Sequence, residues 1–292
     1  MADDPPPPGR PELVRWSHHP HLDQPVLIAA FAGWNDAGDA ATTAVRCMEE
    51  AWGARAFATI DPEPFYDFTS TRPRVEFDAA GHRRIRWPEN RFSASTVTPG
   101  PLDVVTLVGV EPELRWRTFC EQVTGVARAV GTRTVVTLGA LLAEVPHSRP
   151  VSVFGTGGDE ATRRRLGLLP SSYEGPTGIT GVLSTVFRDE GMTSVSLWAA
   201  VPTYVPSAPS PKAALALVER TARLLGVTVD TADLAVAADA YEREVSEVAA
   251  DDDETLEYVR SLERRYDEEG FDVTDDGSSL VEEVERFLRE QD

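Results

Sequence analysis

The stretch from Val26 to Ala40, VLIAAFAGWNDAGDA, decides the fold. Its first part, Val26 to Ala32, is a short uninterrupted apolar run, the signature of a strand buried on both faces. Gly33 and Gly38 bracket the turn that follows, and the spacing beyond it predicts a helix from about Ala40 to Trp52. A buried strand feeding a helix through a glycine-rich turn opens a βα unit.

The same rhythm continues outward. Ala54 to Ile60 reads as a second strand, and Arg74–Phe77 with Arg83–Trp87, separated by Ala80-Gly81-His82, reads as a hairpin. Then follow a strand at Val104–Val110, a helix from about Pro112 to Val130, and strands at Thr134–Leu138 and Val151–Phe154. A short helix near Asp159 to Leu166, a helix ending at Arg188, a strand at Val195–Ala200 and a helix at Pro211–Leu225 complete the series. Strands alternating with helices imply a three-layer α/β domain, a mixed but mostly parallel sheet flanked by helices on both faces.

Beyond residue 229 the pattern is helical. Leu234, Ala238, Tyr241, Val245 and Val248 form one apolar stripe, Val259, Leu262 and Tyr266 a second, and Leu280, Val284 and Phe287 a third. We therefore expect a flexible leader over 1–21 that contains the proline run Pro5 to Pro8, an α/β core over 22–229, and an acidic helical region over 230–292.

Charge and composition exclude several function classes. The net charge is −20, and residues 230–292 hold 23 acidic residues against 6 arginines. Such a chain repels phosphate backbones, so nucleic acid is not an expected partner. No run approaches the roughly 18 apolar residues of a membrane helix. The acidic, proline-rich start lacks the basic and apolar parts of a signal peptide. Two cysteines, Cys47 and Cys120, fall in predicted helices and suit buried thiols in a reducing, cytoplasmic compartment. Lys212 is the single lysine.

The candidate binding residues lie in loops at the carboxyl ends of the strands, where parallel sheets form clefts. They are Trp34, Asn35 and Asp36 after the first buried strand, Glu111 after Val110, and Glu174, Gly175 and Thr177 in the loop that opens a later helix. If these loops converge, Asp36, Glu111 and Glu174 share one rim. A structural reading competes with that one: Asn35 occupies a turn, Asp39 caps the following helix, and Thr177 caps the later one.

The sequence has no G-x-S-x-G, H-E-x-x-H, C-x-x-C or P-loop signature, so no catalytic residue, metal or cofactor is assigned. Gly155 to Gly158 reads as a turn, His18, His19 and His21 as exposed polar residues, and His147 as a surface hydrogen-bonding residue.

Several segments carry a family resemblance: Leu27 to Ala40, Tyr66 to Arg74, Leu138 to His147, Tyr173 to Gly178, and Ser196 to Pro202. They resemble the actinobacterial branch of the proteasome assembly chaperone two family. The resemblance implies a phosphorylase/hydrolase-like fold, like that of purine nucleoside phosphorylases. It also implies homo-oligomers, with a trimer favoured, and a non-catalytic role in assembling proteasome α subunits. Two departures stand out. The chain ends Arg289-Glu290-Gln291-Asp292 and not in hydrophobic-Tyr-any, which puts that docking mode and the role it serves in question, and Thr203 stands where relatives carry histidine.

Two other functions compete. One is an enzyme or small-molecule binder using the phosphorylase-like cleft, with Asn35, Asp36 and Glu174 on the ligand and Arg72 or Arg74 on an anion. The other is an interaction module whose acidic helices, around Asp251 to Glu254, dock a basic partner.

Overall fold

Leu27, Ile28, Ala29, Ala30 and Phe31 are sealed from solvent, as a strand covered on both faces requires. Their strand, β2 (Val26–Ala32), lies between β7 (Leu102–Val110) and β8 (Thr134–Ala143), and both pairings are parallel. β10 (Thr193–Pro202) adds to β8 in parallel. These four strands form the centre of an eight-stranded sheet. Antiparallel strands extend both sides: β6 (Asn90–Val97), β3 (Arg55–Ile60) and β1 (Val14–Trp16) beyond β7, and β9 (Val153–Gly157) beyond β10. The computed structural model describes residues 13–97, 102–158, 160–168, 170 and 174–269.

Alternation along β2 divides the core into two layers. Ile28 and Ala30 face α1 (Ala40–Ala51) and α5 (Pro211–Leu225), packing with Ala41, Val45, Met48 and Leu217. The two helices also pack on each other, their contact rich in the small residues Ala40, Ala44, Ala213 and Ala214. Leu27, Ala29 and Phe31 face the other way, towards α2 (Trp116–Ala129) and α4 (Ile179–Asp189). There Phe31 and Phe65 both meet the Phe119 ring edge to face, at centroid distances of 5.9 and 5.3 Å. Burying each such ring contributes about 2–3 kcal/mol. The three-layer arrangement is the expected one, with a short α3 (Glu160–Leu166) at the edge.

The boundaries of α5 follow from its sequence. Ser210 accepts a hydrogen bond from the Ala213 amide at 3.4 Å, Pro211 opens the first turn, and Gly226 at φ +69° ends the helix in the left-handed region. Beyond it, α6 (Ala232–Ala250) and α7 (Asp253–Glu269) bury Tyr241, Val245, Val259 and Leu262, members of the first two predicted stripes.

Two expectations need correction here, and one strand was not expected at all. Val14–Trp16 falls in the expected leader, yet it pairs with Ala58–Ile60 as an edge strand. Gly155-Thr156-Gly157 is part of β9 and not a turn, because its backbone pairs with Val195–Leu197. Strand β6 has no counterpart in the sequence reading. The proline run, Tyr173, the stripe Leu280, Val284 and Phe287, and the residues Arg289 to Asp292 lie outside the described residues. Among the described residues no helix is long and apolar enough to cross a membrane.

The predicted hairpin is present as β4 (Arg74–Phe77) and β5 (Arg83–Arg86), a separate two-stranded sheet. All eight of its strand residues are exposed. Trp87, just beyond it, meets Phe68 edge to face at 4.7 Å.

Candidate functional site

The loop after β2 is built around Asp36, which is buried. Its Oδ1 accepts the backbone N–H of Ala41 at 2.7 Å and of Thr42 at 3.2 Å, and its Oδ2 accepts the Thr42 hydroxyl at 2.5 Å. Asp36, and not Asp39, therefore caps α1. The difference arises because a 3-10 turn over Ala37–Asp39 precedes the helix and aims its first free amides back at Asp36. Asp39 sits in the left-handed region at φ +51° and makes no side-chain cap. Burial pushes the Asp36 carboxyl above the usual range, against the opposing pull of its bonds to Thr42 and Ala41.

Asn35 and Glu111 join this loop to two neighbours. The Asn35 carbonyl accepts the Ala140 amide at 2.8 Å, which ties the loop to β8. Its side-chain amide donates to Glu111 Oε1 at 3.4 Å, and the same oxygen accepts the backbone N–H of Ile179 at 2.7 Å. Glu111, placed by the end of β7, thus caps α4 across 68 residues of sequence. Gly178 is the residue at the N-cap position, and it has no side chain to contribute. Thr177 is exposed and its hydroxyl lies 3.5 Å from the Gly178 carbonyl, so it does not cap α4.

The candidate residues therefore separate into two groups. Asn35, Asp36 and Glu111 form a bonded joint that locks the ends of β2, β7 and β8 to the starts of α1 and α4. Trp34, Glu174, Gly175 and Thr177 are exposed outside it. Arg74 belongs to the β4–β5 hairpin, and Arg72 is exposed just before it. Both carboxylates of the joint accept backbone amides at helix starts, a positioning arrangement that leaves neither as a free base beside a nucleophile. Among the described residues, no group of three or more His, Cys, Asp or Glu is placed to hold a metal.

A second polar cluster, centred on His147, follows β8. His147 is buried, not a surface residue. Its Nδ1 lies 2.7 Å from the Tyr204 hydroxyl, and its Nε2 lies 2.8 Å from the Ser246 hydroxyl on α6. The His147 carbonyl accepts a 2.5 Å bond from Lys212 Nζ, which also pairs with Glu242 of α6. Arg149 grips α7 through a fork on Asp267, with Nε and Nη2 at 2.8 and 2.7 Å from the two carboxylate oxygens. From α7, Arg265 bonds back to the Glu144 carbonyl at 2.5 Å and Tyr266 to the Pro150 carbonyl at 3.2 Å. The loop over 144–150 is thus clasped by both C-terminal helices. A crevice beneath it, lined by Val145, His147, Pro202, Lys212 and Tyr241, has room for about one water molecule.

Burial, followed by the nearby Lys212 ammonium, holds the His147 imidazole below its ordinary pKa, while Glu242 and Glu263 pull the other way. A depressed histidine contributes stability that is complete above the unfolded value of about 6.5 and lost as pH falls through the lower folded value. The protection of the α6 amides, taken as their exchange rate relative to that of unstructured peptide at the same pH, should therefore fall as pH drops below about 6.5. His147→Gln, which cannot titrate, should remove most of that difference. An unchanged pH dependence in the variant would assign it to other groups.

The fold and joint define a class of protein: a three-layer α/β unit whose helix starts are held by carboxylates and whose C-terminal helices clasp the loop after a central strand. The PAC2 family profile matches residues 30–249, and the chain belongs to that family. A PAC2 family protein from Streptomyces avermitilis is 45% identical, with a TM-score of 0.75, over 80% of this chain and 99% of its own. A proteasome-assembly chaperone homologue of Mycobacterium tuberculosis is 46% identical, with a TM-score of 0.72 and the same coverage of 80% and 99%. A Mycobacterium tuberculosis protein of unknown function is 28% identical and aligns over 99% of both chains with a TM-score of 0.82. No curated protein sequence matches the chain.

Proposed function

We propose that this protein is a non-catalytic, proteasome-assembly-chaperone-like protein that works in the cytoplasm as a homo-oligomer, with a trimer favoured, and binds proteasome α subunits. The observation that carries this reading is family membership together with 46% identity to a proteasome-assembly chaperone homologue. The use of the candidate carboxylates supports it. Asp36 and Glu111 hold helix starts through backbone amides, a role that serves the fold and not turnover.

The test is reconstitution with α subunits from the same cell, read by native mass spectrometry. A complex of fixed stoichiometry and faster α-ring formation are expected. A protein that neither binds α subunits nor alters their assembly at micromolar concentration sinks the proposal. A melting-temperature screen against nucleosides, phosphate and amino acids addresses the cleft-binding alternative, since a ligand selective for the native state raises the melting temperature.

A further inference from the structure

The β4–β5 hairpin carries an uncovered apolar face. Val75 pairs with Ile85 and Phe77 with Arg83, so strand alternation puts these four on one side, with Trp87 next along it. Phe77 is 71% exposed, and Val75, Ile85 and Trp87 are 45%, 49% and 48% exposed. The opposite side is occupied by charges that pair locally: Arg86 with Glu76 at 3.0 Å, and Arg84 with Asp78 at 2.8 Å. Arg83 is therefore the cation of the apolar face. A two-stranded hairpin on its own is marginal in water, so an exposed face of this kind calls for a cover.

The same chain carries a complementary surface. Residues 232–269, which make up α6 and α7 and the turn between them, contain 14 acidic residues against 4 arginines. Helical spacing places Val236 and Val248, 69% and 66% exposed, on one broad outer face of α6 with Asp233, Ala237, Glu244 and Glu247. This face mixes apolar groups with the carboxylates of Asp233, Glu244 and Glu247, with Arg243 at its margin, where the hairpin mixes apolar and basic groups. Val236 and Val248 are about 18 Å apart along the helix, enough to span the hairpin strands, which are about 13 Å long.

We propose that the apolar face of the hairpin of one copy docks on the outer face of α6 of the next copy, an inference that rests on the reading that copies of this chain associate. The two surfaces differ, so the contact is heterologous and each copy offers one of each, which closes into a ring when the rotation permits. Phe77 and Trp87 supply the buried aromatic anchors, and Arg83 meets Glu244 or Glu247.

Sedimentation velocity on the full chain over a concentration series at about 0.1 M salt tests the contact. The double substitution Phe77→Asp with Arg83→Glu should raise the dissociation constant at least about 30-fold, since aromatic anchors dominate such contacts. The melting temperature of the dissociated protein should stay near the wild-type value, because the hairpin lies outside the main sheet. Arg83→Glu alone should weaken association, and adding Glu244→Arg and Glu247→Arg should restore it.

Oligomers that persist in both the hairpin and the α6 variants would overturn the assigned contact while leaving association intact. Dissociation by the hairpin changes with no effect and no rescue from α6 would remove α6 as the receptor and overturn the proposal. A wild-type chain that is monomeric throughout would overturn both this contact and the oligomeric reading. Binding to α subunits, measured separately on the same variants, tells whether the chaperone reading survives any of these results. Loss of that binding with an intact oligomer would give the hairpin to the α subunits instead.

Discussion

Asp36→Ala should lower the stability of the folded chain by about 3 kcal/mol, the sum expected for losing a helix cap and exposing buried donors. The carboxylate accepts three hydrogen bonds, and removing it leaves the Ala41 and Thr42 amides without their acceptor and the Thr42 hydroxyl with only a 3.4 Å contact to the Asp39 carbonyl. For a protein of this size that corresponds to a fall of about 6–12 °C in melting temperature. Asp36→Asn keeps the shape and one acceptor oxygen, so it should cost less than half as much. The sign of the pH effect follows from the raised carboxyl. A carboxyl whose folded pKa lies above its unfolded one contributes stability below about pH 3.8 that is lost as pH rises through the folded value. Asp36→Asn should flatten that part of the stability curve. A wild-type melting temperature for Asp36→Ala, combined with loss of partner binding, would turn the residue from a cap into a recognition group.

Gly178→Ala is expected to be similarly damaging for a different reason, at about 3 kcal/mol or more. A Cβ on Gly178 would lie 1.7 Å from the Asn35 side-chain nitrogen and 2.8 Å from Glu111 Oε1. Asn35 is buried and Glu111 is bonded to Ile179, so neither can withdraw without releasing the start of α4. The strain should be relieved in part by trimming the obstacle. The double variant Gly178→Ala with Asn35→Ala should recover more than about 1 kcal/mol relative to the sum of the single changes. Strict additivity in thermal or urea unfolding would mean that the close approach is not the cause.

The parts of the molecule legible in sequence were those written in local pattern. Strand β2 and helix α1 follow from an apolar run and a glycine turn, and α5 from Ser210-Pro211 and Gly226. Strand β6 was not legible because its sequence, Asn90 to Val97, is rich in Ser, Thr and Asn. Its Asn90 and Ser93 are buried by neighbours that the local pattern does not name. Strand β1 is three residues long and takes its stability from β3.

The site was half legible for the same reason. The loops at the strand ends were foreseeable from topology, but the partners of Asp36 and Glu111 were not. The shift of the cap from Asp39 to Asp36 depends on one 3-10 turn, and Glu111 finds Ile179 through the register of the whole sheet. His147 gave a signal in its neighbours Pro146 and Arg149. Its connection to Ser246 spans 99 residues and appears only once α6 docks.

The pinning of Lys212 under α6 has a practical consequence for labelling. Its side chain is 17% exposed and engaged by the His147 carbonyl and Glu242. Because it is the single lysine of the chain, acylation of a lysine ε-amine can occur at one place, and there it competes with the contacts to the His147 carbonyl and to Glu242 of α6. The rate at which an N-hydroxysuccinimide ester modifies Lys212 is therefore a built-in clock for opening of the helical clasp.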